Sequence, residues 1–219
     1  AAFSAGLDSF YTALTYEEER PLDGLLYLHG YEARPKDDQL LYMLLPGVKA
    51  AAVSLGKRLL LVEGNFWPVV LDLFGRHMYS GLAMLATIGH AMNSQVSRLV
   101  LPASYDEEHE GADWASLSAF APLLGSEGLI VEQHGALTRT EKVSRVATSD
   151  AARRWLRVCW SRDGKNYNCG RCHKCVRTMV NLELAGVAER FTTFPSRLDL
   201  QLVTRMRGDV PEYAYSIRE

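Results

Sequence analysis

Short apolar runs alternate along this 219-residue chain with longer stretches of helical periodicity, and this alternation restricts the folds that the chain can adopt. The apolar runs predict strands at residues 25–30, 58–65, 98–104 and 129–135. The stretches around them predict helices at residues 8–20, 37–56, 77–93 and 113–124. Strands that alternate with helices in this way build a parallel sheet with helices packed against it. The sequence therefore predicts an α/β fold with a doubly wound parallel sheet.

The pattern changes after residue 150, where a cysteine-rich loop, a short helix at residues 175–185 and a polar tail follow. A chain of this length suits one α/β domain of about 150 residues with a smaller appendage. We therefore assign residues 1–150 to the α/β domain and residues 151–219 to a C-terminal segment. Pro46 and Gly47 are expected to break or kink the second predicted helix.

Composition and charge narrow the possible partners. Hydrophobic residues make up 47% of the chain, which is enough for a packed core. The formal net charge is -2, so the chain as a whole presents no basic surface to nucleic acid or to an anionic membrane. No apolar run approaches the roughly 20 residues of a membrane-spanning helix, and we expect a soluble, cytoplasmic protein. Because the chain opens at Ala1-Ala2-Phe3 without a methionine and then enters a loop, we also expect that its first strand is cut short and that the sequence is an excerpt of a longer polypeptide.

A loop rich in small residues precedes the first predicted helix, and we call it the 4–9 loop. It consists of Ser4, Ala5, Gly6, Leu7, Asp8 and Ser9. The backbone N–H groups of such a loop, together with the helix N-terminus behind it, attract an anion such as phosphate. The hydroxyls of Ser4 and Ser9 would add donors, and Asp8 would hold a magnesium ion that bridges phosphate oxygens. The alternative is that Asp8 or Ser9 only caps the helix that follows.

All four cysteines of the chain lie in the C-terminal segment. They are Cys159, Cys169, Cys172 and Cys175. Short Cys-x2-Cys spacings direct several sulfurs at one centre and suit a tetrahedral zinc ion. We therefore predict a structural zinc site with four thiolate ligands, and we expect His173 to be a neighbour of the metal and not a ligand. An iron–sulfur cluster and a redox pair are the alternatives.

Two further groups of polar residues follow predicted strands, at the edge of the sheet where open α/β folds bind ligands. His29 ends the first of these strands, where it would frame an adenine or a ribose or would be a hydrogen-bonded turn histidine. An acidic run follows the third predicted strand, and it either contacts magnesium or substrate or is a solvated face. The run consists of Asp106, Glu107, Glu108 and Glu110.

The 4–9 loop resembles the Ser-Gly-Gly-x-Asp-Ser signature of the PP-loop ATP pyrophosphatases of the adenine nucleotide α-hydrolase superfamily, with Ala5 in place of the first glycine. Two other motifs make the resemblance more specific, to the 7-cyano-7-deazaguanine synthases. The matching residues at the cysteines are Cys159-Trp160, Cys169-Gly170-Arg171-Cys172-His173-Lys174-Cys175 and Arg177. Upstream, Arg139-Thr140-Glu141-Lys142 resembles the Lys-x-Glu-Ile element of that family.

The resemblance implies a Rossmann-like domain that binds ATP with the 4–9 loop, together with Mg²⁺ and Zn²⁺. It implies that Asp8, Arg139 and Lys142 take part in catalysis. The implied enzyme is an ATP-dependent ligase that adenylates a carboxylate or an amide, releases pyrophosphate and accepts ammonia or another nucleophile. In the synthases the substrate is a 7-deazaguanine of the queuosine pathway. Because the chain departs from them at residues 75–78 and 102–108, we expect a 7-deazaguanine or another carboxylate substrate here, and possible assembly as a homodimer.

Three alternatives stay open at this stage. A PP-loop thiolation enzyme that acts on RNA or on a small heterocycle would need a free cysteine, which a four-cysteine zinc site does not leave. A nucleotide-binding regulatory module without turnover would be consistent with Ala5 in the loop. Arg139 and Glu141 would then form only an exposed charge cluster at the start of a helix.

Overall fold

A computed structural model describes residues 1–30, 38–66, 69, 81–105, 118–161 and 165–206 of the chain. Its strands are β1 (Gly24–His29), β2 (Arg58–Glu63), β3 (Arg98–Pro102) and β4 (Ile130–His134). Its α-helices are α1 (Leu7–Glu19), α2 (Asp38–Ser54), α3 (Gly81–Ala91), α4 (Arg139–Val146), α5 (Asp150–Trp155), α6 (His173–Leu184) and α7 (Leu200–Thr204). Short 3-10 turns lie at Ser118–Phe120, Pro122–Leu124 and Ala188–Arg190. The α/β class predicted from the alternation is confirmed.

The described strands form two parallel pairs. β1 pairs with β2 in a register that places His29 opposite Glu63, and β3 pairs with β4. The first residues of the chain hydrogen-bond to one strand of each pair. The N–H of Ala2 donates to the carbonyl of Val100 in β3 at 2.9 Å, and the N–H of Phe3 donates to that of Leu26 in β1 at 2.8 Å. The carboxyl ends of these segments therefore lie at one edge, where the 4–9 loop begins.

Both faces of β1 are buried. Leu25 and Tyr27 belong to one buried apolar cluster, whereas Leu26 and Leu28 belong to another. The first cluster combines side chains from both ends of the chain. Its members include Phe3, Phe10, Val48, Val143, Leu156, Val158, Cys175, Leu182 and Phe191. The C-terminal segment thus packs on the same core as the 4–9 loop.

The expected break at Pro46 is not found, because α2 continues through this residue. Buried side chains on both sides, among them Leu44 and Val48, anchor the helix to its neighbours and offset the missing N–H of the proline. Gly47 has a packing role. A Cβ built on it would lie 2.5 Å from the hydroxyl oxygen of Tyr167, so the glycine permits the C-terminal segment to approach α2 closely.

Other predicted boundaries need correction. Within the described part of the predicted helix 113–124, the chain forms two 3-10 turns and not an α-helix, since Pro122 lacks the N–H that a continuous helix would use. The predicted helix 77–93 is found as α3, and its first predicted residues, 77–80, lie outside the described residues. Residues 75–78 and the acidic run at 106–110 also lie outside them. The predicted short helix 175–185 begins earlier, as α6. Within the part of the chain described here, no helix has the length and apolarity that crossing a membrane would require.

Candidate functional site

The 4–9 loop has an unusual backbone conformation. Ala5 has a φ of 59°, which places an alanine in the left-handed region that glycine normally occupies, and its side chain is completely buried. Gly6 then starts α1 as an N-cap without any side-chain cap. Strained positions of this kind persist only when surrounding contacts hold them, and they cluster at binding sites. The loop therefore requires a positive φ at position 5.

Hydrogen bonds within the loop fix its shape. The hydroxyl of Ser9 donates to the carbonyl of Gly6 at 2.9 Å and accepts from the N–H of Ser4 at 3.3 Å. The Ser4 hydroxyl in turn accepts from the N–H of Gly6 at 3.3 Å. These contacts connect the two serines across the turn, so the alternative in which Ser9 caps the helix is wrong.

Asp8 joins two basic residues that are far from it in sequence. The ammonium of Lys142 donates to Oδ1 of Asp8 at 3.0 Å, and a terminal guanidinium nitrogen of Arg139 lies 3.5 Å from Oδ2. Both basic side chains are buried, with exposed fractions of 0% for Lys142 and 4% for Arg139, whereas 23% of the Asp8 side chain is exposed. Asp8 therefore serves as the counter-ion of two buried cations and does not cap α1.

The charges of this group keep Asp8 ionised. Burial alone would raise the pKa of the Asp8 carboxyl, but the charges of Lys142 and Arg139 and the Lys142 hydrogen bond hold that pKa below its ordinary value. Lys174, in the first turn of α6, contributes weakly in the same direction. The site at neutral pH thus contains one carboxylate and a surplus of positive charge.

A capping box places the two basic residues. Thr138 is the N-cap of α4, its hydroxyl accepts from the N–H of Glu141, and the Glu141 carboxylate accepts from the N–H of Thr138. Arg139 and Lys142, three positions apart, consequently share the face of α4 that meets α1. Glu141 does lie in an exposed cap, but the buried Arg139 rules out the exposed charge cluster considered above.

Two further groups contact Lys142 and Arg139, and the sequence analysis identified neither of them. The Lys142 ammonium also donates to the carbonyl of Ala103, just after β3, at 2.8 Å. Arg139 donates to the hydroxyl of Thr178 in α6 at 3.4 Å. A carbonyl leaves no signal in a sequence, and a helical threonine is too common to indicate a site. Both contacts depend on packing between distant segments.

His29 lies at the same edge on the neighbouring strand. Its ring is 4% exposed, and its Nδ1 is 3.5 Å from the Glu63 carboxylate on β2. Within the described residues neither ring nitrogen makes a hydrogen bond. The turn after it is tight, because Gly30 has a φ of 104° and a Cβ there would lie 1.9 Å from the carbonyl oxygen of Gly64. The structure places His29 at the predicted edge, without a described hydrogen bond to the 4–9 loop.

The four cysteines converge as their spacing predicts. One sulfur from each of Cys159, Cys169, Cys172 and Cys175 lies within 4.8 Å of the others, and two of the pairs are 4.0 Å apart. A tetrahedral zinc shell with Zn–S bonds of about 2.3 Å has sulfurs about 3.8 Å apart, so the four side chains fit such an ion closely. No other group of three or more His, Cys, Asp or Glu side chains within the described ranges could hold a metal.

Backbone donors and neighbouring thiols prepare this cluster for thiolate chemistry. The N–H groups of Ser161 and Cys169 point at the sulfur of Cys159, at 3.2 and 3.3 Å. Hydrogen bonds from Cys159 and Cys175 lower the pKa of Cys172 to about 3, while the same shared contacts raise the pKa of Cys175. A thiolate is the form of cysteine that binds metals. The cluster therefore combines a preformed shape with hydrogen bonds that favour a thiolate at Cys172.

An exposed tryptophan lies next to the cluster, against two half-buried side chains. The ring of Trp160 meets that of His173 edge to face at 4.3 Å, and the Lys174 ammonium lies 4.8 Å from the centre of the Trp160 ring. His173 thus contacts an aromatic ring beside the cysteines, and the four-sulfur group forms without it.

Comparisons with known proteins add no assignment: the chain matches no protein-family model, no curated protein and no solved structure.

Proposed function

We propose that this protein is an ATP-dependent ligase of the PP-loop pyrophosphatase type, which adenylates its substrate and releases pyrophosphate. The observation that carries the proposal is the convergence of Asp8, Lys142 and Arg139 beside the 4–9 loop, with two cations buried against one carboxylate. The single carboxylate of Asp8 offsets only one of the two positive charges, so the buried group keeps a net positive charge. A bound triphosphate would compensate this charge.

The two strand pairs would belong to one larger sheet. Residues 1–3 hydrogen-bond to β1 on one side and β3 on the other, which supports the order β2, β1, residues 1–3, β3 and β4 in a single parallel sheet. Such a sheet, with its faces covered by helices, would be doubly wound. In this order β1 and β2 lie on one side of residues 1–3, and β3 and β4 lie on the other. Residues 1–3 would thus stand at a topological switch point, where open α/β sheets bind ligands. The 4–9 loop emerges there.

Phosphate recognition would combine the loop with the helix behind it. The N-terminus of the 13-residue helix α1 supplies free N–H groups and the positive end of a helix dipole. The β- and γ-phosphates would lie against this end, with Lys142 and Arg139 neutralising their charge. The Asp8 carboxylate retains lone pairs for a magnesium ion that bridges phosphate oxygens. Ala2 pairs with Leu26 in β1. His29 lies three residues further along that strand and would be near the nucleoside.

The chemistry follows from this placement. An oxygen of the acceptor, a carboxylate or an enolised amide, attacks the α-phosphorus of ATP. The bond from that phosphorus to the oxygen bridging the β-phosphate breaks, and its electron pair leaves with pyrophosphate. Ammonia or another nucleophile then attacks the activated carbon, AMP leaves, and the nitrogen loses a proton. Lys142 and Arg139 would stabilise charge that develops on the phosphates, so catalysis requires positioning and electrostatics only.

The four cysteines would hold a structural zinc ion. A closed shell of four thiolates leaves no position for substrate, so the metal would stabilise the segment that carries α6 and Thr178. The chain contains four cysteines, and all of them lie in this cluster. A thiolation mechanism would need to take a sulfur from the metal, and we therefore favour carbon–nitrogen bond formation on a 7-deazaguanine or another small carboxylate.

Exchange of labelled pyrophosphate into ATP tests the proposal. The purified protein with Mg²⁺ is incubated with candidate acids, and the nucleotide products are separated. We expect acid-dependent exchange and the products AMP and pyrophosphate. ADP and phosphate as the only products would contradict the assignment. ATP binding without exchange, over a broad set of acids that includes 7-deazaguanine carboxylate, would support the regulatory module instead.

A further inference from the structure

The carbonyl of Ala5, the residue with the positive φ, is held by the C-terminal segment. It accepts a hydrogen bond from the N–H of Arg157 at 2.9 Å. This contact joins the 4–9 loop to the stretch that leads into Cys159. No contact within the loop itself holds the Ala5 carbonyl among the described residues. The strained loop conformation therefore depends on where residues 156–158 lie.

The buried side chain of Asn168 holds that stretch on both sides of Arg157. The carbonyl oxygen of the Asn168 amide accepts from the N–H of Val158 at 2.9 Å, and its amide nitrogen donates to the carbonyls of Leu156 at 2.8 Å and of Thr193 at 3.2 Å. Asn168 thus brackets Arg157 by bonding to the residues on both sides of it. Buried polar groups satisfied in this way specify one backbone arrangement.

Asn168 directly precedes Cys169, and Val158 directly precedes Cys159. The two ends of the Asn168–Val158 bond are consequently fixed by two members of the four-cysteine cluster. We infer that Asn168 is a positioning residue through which metal binding at the cysteines holds Ala5 in its left-handed conformation and sets the affinity of the 4–9 loop for phosphate. The affinity part of this inference rests on the proposed function.

Alanine in the left-handed region is disfavoured by about 1 kcal/mol or more, and glycine is not. Release of Asn168 should therefore allow Ala5 to leave the conformation that the loop requires. Replacing Ala5 with glycine should remove this dependence, because glycine reaches the same conformation without external support. The inference thus predicts that positions 5 and 168 are energetically coupled, although they are distant in sequence.

A double-mutant cycle with Ala5→Gly and Asn168→Ala measures the coupling in the zinc-loaded protein. The affinities for Mg²⁺–ATP and for inorganic pyrophosphate are compared. We expect Asn168→Ala to weaken both about five- to tenfold when residue 5 is alanine, and less than twofold in the Ala5→Gly background. Asn168→Asp, which keeps the oxygen facing Val158 and loses the donor, replaces Asn168→Ala if the latter does not fold.

Thr193→Val is the matched control. The Thr193 hydroxyl donates to the same Leu156 carbonyl at 2.8 Å but does not reach Val158. This variant should lose comparable thermal stability and leave both affinities unchanged. Equal loss of affinity in Thr193→Val, or additive effects of the two substitutions in the cycle, would overturn the inference.

Hydrogen exchange separates this inference from the proposed function. The N–H of Arg157, which bonds to Ala5, and the N–H of Gly6 should exchange faster in Asn168→Ala and after removal of metal with a chelator, whereas amides in α3, which packs on β3 in the other apolar cluster, should not. This result would support the positioning role even if the wild-type protein does not bind ATP, in which case the proposed function fails. Unchanged exchange at Arg157 and Gly6 in both samples would reject the positioning role whatever the nucleotide affinities are.

Discussion

The ammonium of Lys142 lies 3.0 Å from the carboxylate of Asp8, although 134 residues separate them in the chain. The lysine is completely buried, so its charge is compensated by this carboxylate and by the carbonyl of Ala103. A buried charge that loses its partner is strongly destabilising. The contact therefore connects the stability of the fold to the proposed site, and it determines what substitutions at either residue should do.

Asp8→Asn should lower the free energy of unfolding at pH 7 by about 3 kcal/mol, because Lys142 and Arg139 would remain buried with a neutral partner. The pKa of Asp8 in the folded protein is held below the value of about 3.9 in an unfolded chain. Its stabilising effect is thus fully present above that value and is lost as the pH falls through the lower, folded pKa. Denaturant unfolding from pH 7 to pH 3 should show the wild type and the variant converging at acid pH.

Asp150→Asn is the control for this experiment. Asp150 also pairs with an arginine, Arg153 at 2.7 Å, but its side chain is 80% exposed. Its replacement should cost under about 1 kcal/mol. A stability difference between wild type and Asp8→Asn that stays constant down to pH 3 would show that the carboxylate charge is not the cause.

Arg139→Ala and Lys142→Met should each reduce the rate of pyrophosphate release by about 10²- to 10³-fold, because each removes a fixed positive charge from a site that excludes water. Steady-state turnover is measured once the acid that supports exchange is known. Arg145→Met is the control on the same helix, since Arg145 is 40% exposed and pairs with Glu18 at the surface. Turnover that is unaffected in Arg139→Ala, or that falls equally in Arg145→Met, would remove these residues from the proposed mechanism.

The purified protein should contain about one zinc ion per chain, and Cys172→Ser should lose it and unfold the C-terminal segment. Structural zinc binding is itself folding free energy, and Cys172 is the N-cap of α6. Elemental analysis, titration of released zinc against modified thiols and circular dichroism provide the measurements. Iron with inorganic sulfide, or a folded sample without any metal, would contradict the zinc assignment.

Gly170→Ala should destabilise the cysteine segment more than Gly186→Ala destabilises the end of α6. Both glycines have a positive φ, 68° and 65°, so an alanine at either position is strained by about 1 kcal/mol. Only at Gly170 would the added Cβ also collide, at 2.5 Å from the Cγ of Pro195, whereas nothing lies within 4 Å at Gly186. Melting temperature and zinc affinity are compared in the two variants. Equal effects would show that the packing of Pro195 against the turn contributes nothing.

Much of the fold was predictable because periodicity and strand-forming runs are local signals. The strand predicted at residues 58–65 is found as Arg58–Glu63, and the helix predicted at 8–20 is found as Leu7–Glu19. The errors have two origins: Pro122 interrupts the helix predicted at 113–124 through its own missing N–H, whereas the course of α2 depends on packing. α2 passes through Pro46 because its flanking residues are buried, and Gly47 serves contact with Tyr167, which follows it by more than half of the chain. Local propensity contains no information about such a neighbour.

The sequence by itself determined the elements of the candidate site: the cysteine spacing, the small-residue loop and the capping box at Thr138 each specify a local geometry within a few residues. The tertiary structure alone decided that Asp8 faces Lys142 and Arg139, that Arg139 is buried, and that the chain near Arg157 holds Ala5. These outcomes depend on desolvation and on hydrogen bonds between segments far apart in sequence. Their free energies exist only when the packed core brings the partners together, so no local pattern could have contained them.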